Sequence, residues 1–229
     1  MSDVIVNIKQ LQVSYGSTVA LNGLDLSMRA SDGVVGLFGP NGAGKTTLTR
    51  VLCSDIERYS GSVSVPARKD VAYLPDSPYL YPWLRVVECI ELFEHWYPDF
   101  RTDVAWRFLE GSVIDPRRRV KTLSKGMSER LHLALTLARE PSLYLIDEPL
   151  AGVDPLTRDH LLNMVQEYRA PGVPLLLCTH LIQDVERIFD AAVLVINGRV
   201  VAAGTTAELK CQESGGLESV YKKVIGRYE

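Results

Sequence analysis

The chain has 229 residues, 46% of them hydrophobic, with four cysteines and a formal net charge of −3 at pH 7. That length suits one domain, or one domain carrying an inserted lobe, with enough apolar content for a proper core. The charge excludes binding of nucleic acid through bulk positive charge. No run of about eighteen apolar residues is present, so no membrane-spanning helix is expected. The N-terminal MSDVIVNIKQ lacks a basic stretch followed by an apolar one, so no signal peptide is expected. Cys53, Cys89, Cys178 and Cys211 lie far apart without metal-ligand spacing and read as reduced thiols of a cytosolic protein.

In chain order, Val4-Ile5-Val6-Asn7-Ile8 and Val19-Ala20-Leu21-Asn22-Gly23-Leu24 alternate apolar and polar residues. They predict antiparallel strands around the turn Tyr15-Gly16-Ser17. Val34 to Phe38 predicts a buried strand and Thr47 to Leu52 a helix. Between them Gly39-Pro40-Asn41-Gly42-Ala43-Gly44-Lys45-Thr46-Thr47 fits the pattern GxxxxGK[ST]. Glycines let backbone N–H groups curl around phosphate oxygens, and the following helix N-terminus adds positive partial charge. Lys45 is placed to reach the β- and γ-phosphates, and the Thr46 hydroxyl to ligate Mg²⁺. This strand-loop-helix context implies a nucleoside triphosphate site.

Val71-Ala72-Tyr73-Leu74-Pro75 predicts a short strand. From residue 77 to 140 the character changes to a helical lobe. Trp83, Trp96 and Trp106 fall there, and Val87, Ile90 and Phe93, then Val104 and Phe108, recur at helical spacing. Short apolar runs at 143–146, 174–178 and 193–196, separated by helical stretches at 156–168 and 181–189, predict a parallel sheet with crossovers. No internal repeat or low-complexity segment is present.

Leu143-Tyr144-Leu145-Ile146-Asp147-Glu148-Pro149 is a buried strand closed by two carboxylates. Ligand chemistry in open α/β sheets sits at the carboxyl ends of strands. Asp147 there can hold Mg²⁺ beside Thr46, directly or through water, and Glu148 can accept a proton from water attacking the γ-phosphate. Taken alone, such a run serves equally as a helix N-cap or a surface turn; downstream of a phosphate loop it gains weight. Leu123-Ser124-Lys125-Gly126-Met127-Ser128 precedes an amphipathic helix over Glu129 to Glu140. Ser124 can cap that helix, and the Ser124 and Gly126 N–H groups form a second anion cradle. A chain with one nucleotide site has no use for a second cradle unless it serves another subunit.

Together these segments resemble the nucleotide-binding subunit of an ABC transporter, over residues 4 to 208, with Leu123 to Met127 similar to the family's LSGGQ signature in an LSKGM form. The resemblance implies a fold in the α/β class: a P-loop NTPase (RecA-like) core with an N-terminal antiparallel β-subdomain and an inserted α-helical subdomain. It implies one domain over 1–229, the core and β-subdomain spanning 1–76 and 141–229 and the helical part 77–140. Tyr15 matches the aromatic that stacks on adenine, Gly39 to Thr47 hold ATP, and Ser124, Lys125, Gly126 and Met127 serve the γ-phosphate of a second subunit. Ala151-Gly152-Val153-Asp154 matches the loop that crosses the dimer interface, with Asp154 among the nucleotide contacts. His180 matches the switch histidine that bonds the γ-phosphate and orients water. His95, His132 and His160 match nothing and read as structural or solvated.

Two departures stand out. The family usually has Gln after Tyr73-Leu74-Pro75, and some exporters Glu; this chain has Asp76, shorter and anionic, which meets Mg²⁺ directly or through water. The segment Asp76 to Pro82 matches the lever that senses the membrane partner. Lys125 and Met127 stand where the family prefers Gly and Gln, and Lys125 either approaches the γ-phosphate of the second subunit or faces solvent. The basic run Arg117-Arg118-Arg119-Val120-Lys121 reads as a solvated turn or as a contact to lipid headgroups or the membrane subunit.

The implied cofactors are ATP and Mg²⁺, the latter on Thr46, Asp147 and Asp76. The implied partners are a second ATPase subunit, identical or paralogous, and separate transmembrane permease subunits, with Tyr79, Tyr81, Trp83 and Glu88 forming the groove for a coupling helix. No nucleic acid and no direct membrane span are expected, and the implied location is the cytoplasmic face of the cell membrane. Similarity of the LSKGM element, the Tyr73 to Phe93 segment and the tail after Gly204 to ABC-2-type exporters implies export of a drug, peptide or lipid. The alternatives are a soluble ABC-type ATPase acting on ribosomes or DNA, and an ATP-dependent regulator. The first usually carries two cassettes or a long coiled-coil insertion, and this chain has one cassette and no sustained heptads.

Overall fold

The computed structural model describes residues 3–110, 114–150, 152–211 and 216–226. Two long strands, β1 (Val4–Tyr15) and β2 (Thr18–Arg29), pair antiparallel with Tyr15 opposite Thr18 across the Gly16 turn. They are followed by β3 (Val34–Phe38) and α1 (Lys45–Leu52). β4 (Ser60–Ser64) then adds to the other edge of β1, giving the order β2-β1-β4. β4 carries one apolar residue, Val63, on a largely exposed edge, so it leaves no alternation for a sequence reading to find.

β5 (Val71–Leu74) leads into the helical segment, α2 (Val86–Trp96), α3 (Thr102–Leu109) and α4 (Lys125–Leu137). α4 begins four residues before the expected Glu129, because the Ser124 hydroxyl accepts the Met127 N–H at 3.3 Å and starts the helix there. The chain returns through β6 (Leu143–Asp147), α5 (Pro155–Tyr168), β7 (Leu175–Cys178), α6 (Ile182–Val185), β8 (Ala191–Ile196), β9 (Arg199–Thr205), α7 (Thr206–Cys211) and α8 (Gly216–Ile225).

The main sheet has the order β5-β6-β7-β3-β8-β9. Its first five strands are parallel, as the alternation of strands and helices predicts, but β9 runs antiparallel to β8. The runs expected at 143–146, 174–178 and 193–196 are β6, β7 and β8 of the parallel part, and β9 is an added antiparallel edge strand. Asn197 and Gly198 both take positive φ, 50° and 71°, and reverse the chain in two residues. Asn-Gly is the sequence that such a tight turn favours.

Alternate side chains of the buried strands feed two cores on opposite sides of the sheet. Leu143, Leu145, Leu176 and Val35 pack with α1 and the β1–β2 layer; Tyr144, Ile146, Leu175 and Leu177 pack with α4, α5 and the helical segment. Arg139 joins that segment to the sheet. Its buried guanidinium binds the Asp99 carboxylate at 2.9 Å and the Val71 carbonyl at 3.2 Å, and lies 3.9 Å from the centre of the Tyr97 ring. Arg139 therefore ties the helical segment to the start of the edge strand β5.

Candidate functional site: a split nucleotide cleft

The phosphate loop is shaped by what its glycines must avoid. A Cβ on Gly39 would stand 2.2 Å from the Val195 carbonyl oxygen, and one on Gly44, at φ 105°, 2.6 Å from that of Ala20. Neither position can hold a side chain. Lys45 opens α1, and its buried ammonium folds back to donate to the carbonyls of Gly39 at 2.7 Å and Pro40 at 3.2 Å. The cation therefore lies within the curve of the loop, beside the α1 N-terminus, where negative charge is favoured.

Beneath the loop sits the Asn197-Gly198 turn, which sequence reasoning missed. Gly198 donates to the Ala43 carbonyl at 3.0 Å and accepts from the Asn22 N–H at 2.9 Å, so it ties the loop to β2. The available signal was the Asn-Gly pair behind the apolar run of β8.

An open cleft of about 420 Å³ runs over the loop. Its walls are the residues Asn41 to Thr47, with Tyr15 and Val19 at one end and Asp76 and Glu148 at the other. Tyr15 is 50% exposed and Val19 56%, a flat apolar face of the kind that suits a base. Val19 is a second residue the sequence reading assigned only to a strand.

Asp147 ends β6 with no exposed surface. Thr49 lies 3.4 Å from its Oδ2, and Oδ1 has no hydrogen-bond partner. Burial is the main force pushing its carboxyl above the usual range; the Thr46 hydroxyl opposes this, and the charges of Asp76 and Glu148 add to it. A buried carboxylate oxygen without a partner, next to a threonine hydroxyl, is a hard-oxygen set that fits Mg²⁺. Among the described residues no group of three or more His, Cys, Asp or Glu forms a ready-made metal cluster. The fit is thus to an ion that takes one or two carboxylates and completes its shell with phosphate and water.

Glu148 leaves the strand at φ 47°, its N–H held by the Cys178 carbonyl at 2.9 Å. The left-handed turn separates its side chain from that of Asp147 and brings Oε2 to 2.9 Å from His180 Nδ1. His180 follows β7, whose register beside β6 sets Asp147 opposite Cys178. Adjacent parallel strands thus bring together two residues widely separated in sequence.

Ser124, Lys125, Gly126 and Met127 are not among the residues lining this cleft. They gather elsewhere, against the loop after β6. A Cβ on Gly152 would meet the Lys125 ammonium at 2.5 Å, and one on Gly126 would meet Thr157 at 3.3 Å. Thr157 in turn donates its N–H and hydroxyl to Asp154, the cap of α5, at 3.1 and 2.6 Å. In the single chain Lys125 therefore lies against its own Gly152. Ala151, in the same loop, is outside the described residues.

The basic run folds as a turn under the start of α2: Arg117 pairs with Asp115, and Arg118 donates to the Thr122 carbonyl. His132 is buried in α4 with Nδ1 2.7 Å from the Ser128 carbonyl, His160 meets Arg130 at 2.6 Å, and His95 packs against Trp96. Of the expected docking residues, Glu88 caps α2 through the Arg85 N–H and Tyr79 packs edge-on to His132. Tyr81 and Trp83 stack at 4.8 Å while 55% and 61% exposed.

The family model for ABC transporters matches residues 21–151. The chain is 29% identical to the ABC-type transporter ATP-binding protein EcsA of Bacillus subtilis over 95% of each chain. It is 32% identical to the daunorubicin resistance ATP-binding protein DrrA3 of Streptomyces coeruleorubidus, over 99% of this chain and 76% of that one. It is 37% identical to the aliphatic sulfonates import ATP-binding protein SsuB 2 of Frankia alni, over 89% and 82%. A solved ATP-binding subunit of an ABC transporter superposes with a TM-score of 0.85 at 28% identity, covering 96% of this chain and 99% of that one. On the phosphate loop, the paired carboxylates and these matches, the chain belongs to the ABC transporter family, as an ATP-binding subunit with ATPase activity.

Proposed function

We propose that this chain is the ATP-hydrolysing motor of a membrane exporter, working as a head-to-tail dimer on the cytoplasmic face of the membrane beneath separate transmembrane subunits. The observation that carries the reading is the split between the two halves of the site: Lys45 and Glu148 line one cleft, with His180 bonded to Glu148, while Ser124 to Met127 are not in its lining and pack against the loop after β6. Two copies, or this chain and a paralogue, close so that the phosphate loop of one and the signature of the other clasp each ATP. In this reading 1–76 and 141–229 form the core and 77–140 the helical lobe, whose exposed Tyr81 and Trp83 meet the transmembrane partner.

The loop N–H groups and Lys45 bind the β- and γ-phosphates, and Tyr15 with Val19 receives the adenine. Thr46, Asp147 and Asp76 hold Mg²⁺, which when bound neutralises charge developing on the phosphate oxygens. Glu148 takes the proton from a water as its oxygen attacks the γ-phosphorus, and the bridging oxygen leaves with ADP. His180, bonded to Glu148, keeps that carboxylate aimed at the water. ATP binds both faces and favours the closed dimer; hydrolysis removes that preference and releases it.

Export is supported by the LSKGM form of the signature and by relatives named for drug resistance or export. The 37% identical relative is named for import, so direction is settled by the transmembrane protein that copurifies with the chain and by transport in vesicles containing both. The test of the motor itself is Glu148→Gln: ATP binding is retained and ATP-dependent dimers accumulate, while turnover of the assembled complex falls at least ~10²-fold. Near-normal turnover would remove Glu148 from the proton-accepting role, and a strictly monomeric variant with bound ATP would remove the shared site.

A further inference from the structure

Asp76 sits just past β5, and Thr46 and Asp76 are the two residues common to the linings of two cavities. One is the nucleotide cleft. The other is a groove of about 960 Å³ between the sheet and the helical segment, lined also by Tyr73, Tyr79 and Phe93. Asp76 and Glu148 both line the cleft, and the charges of both act on the buried Asp147 carboxyl. Lys45 is the one cation among the lining residues, and it already serves the phosphate loop.

A neutral amide at position 76 would add no charge to this end of the cleft. A carboxylate there faces the same space as a triphosphate, and two anions separated by a few ångströms repel unless a cation lies between them. The unpartnered Oδ1 of Asp147 and the Thr46 hydroxyl mark where that cation goes. Resting on the nucleotide-site reading above, we propose that Asp76 makes nucleotide binding conditional on a divalent cation: it is a selectivity residue that admits the metal–triphosphate complex and rejects the metal-free nucleotide. The chemistry it recognises is a hard divalent ion between two anionic oxygens, and its charge, not its shape, sets the preference. Because Asp76 is exposed, the repulsion is screened by salt.

The experiment measures dissociation constants of the full chain for a fluorescent analogue of adenylyl imidodiphosphate, once in saturating Mg²⁺ and once in excess EDTA. The readout is the ratio of the two constants. Wild type is expected to show a ratio at least about 10-fold larger than Asp76→Gln or Asp76→Asn, most of the difference arising from tighter metal-free binding in the variants. Asp76→Glu, which keeps the charge, retains the large ratio, and molar salt narrows it in wild type. Ratios within about 2-fold of each other across wild type, Gln and Asn overturn the proposal and leave the nucleotide site standing. Failure of wild type to bind the probe with Mg²⁺ overturns both. Because the ratio is internal to each protein, a variant with a weakened fold still reports on the proposal.

Discussion

Replacing Gly198 with Ala tests whether the β8–β9 turn is the floor of the phosphate loop. Two costs can be separated. Holding a non-glycine residue at φ 71° costs about 1–2 kcal/mol. The added Cβ would also stand 2.6 Å from the Ala20 carbonyl oxygen, 2.8 Å from Leu21 Cα and 2.9 Å from Asn22 N, all backbone atoms that cannot swing aside. Overpacking of that kind costs about 1–3 kcal/mol, so the variant loses about 2–5 kcal/mol. For a chain of this size that lowers Tm by roughly 4–20 °C. Gly172→Ala is the control: φ is 74° with nothing within 4 Å of the new atom, so only the dihedral cost remains. Thermal unfolding of both variants with and without nucleotide gives the measurement. Because Gly198 holds Ala43, its variant is also expected to lose part of the nucleotide-induced rise in Tm, whereas Gly172→Ala keeps it all. A Gly198→Ala protein no less stable than Gly172→Ala, with its full nucleotide response, would refute the floor.

Lys45→Ala is expected to abolish nucleotide binding, since the ammonium inside the loop is lost; unchanged affinity by calorimetry would sink that role. Asp147→Asn should raise the Tm of the nucleotide-free protein at neutral pH while reducing ATP turnover at least ~10²-fold. The sign follows from burial: the folded-state pKa is raised, so the contribution of Asp147 to stability is present below its unfolded value and is lost as pH rises through the folded one. Unfolding curves across pH should show this loss in wild type and its removal in the variant; parallel pH profiles would contradict it. Arg139→Met leaves the Asp99 carboxylate without its partner and should cost about 2–4 kcal/mol in denaturant unfolding, at the lower end because Asp99 keeps some contact with water. A variant within 0.5 kcal/mol of wild type, roughly the ordinary surface effect, would show that the tie is dispensable.

The parts of this protein that could be read from its sequence are those whose chemistry is written in consecutive residues. Gly39 to Thr47 announces a phosphate loop because tight backbone curvature demands glycine, and Asp147-Glu148 closes an unmistakably apolar strand. Ser124 as a helix cap was equally local. What escaped was set by distance in the chain or by exposure. β4 has a single apolar residue, and α8 lies beyond the segment the motifs organise. The Asn197-Gly198 pair was visible as letters, but its place under Ala43 follows only from the pairing of β3 with β8. The direction of the Lys125 ammonium, toward Gly152, likewise depends on how α4 meets the loop after β6.

The order of the main sheet also sets when the nucleotide site can form. β3, which carries the phosphate loop, is made early, yet its hydrogen-bonded neighbours on both sides, β7 and β8, are made late. During synthesis the loop emerges with no partner strand on either edge, and an unpaired apolar strand is an association hazard. It can acquire its final curve only after residues near 198 have left the ribosome. Long-range pairing of this kind slows folding, because closure entropy must be met before the contacts can repay it. A nascent chain released before β8 would therefore lack the turn that holds Ala43, so tight ATP binding reports that the chain has folded at least through Gly198.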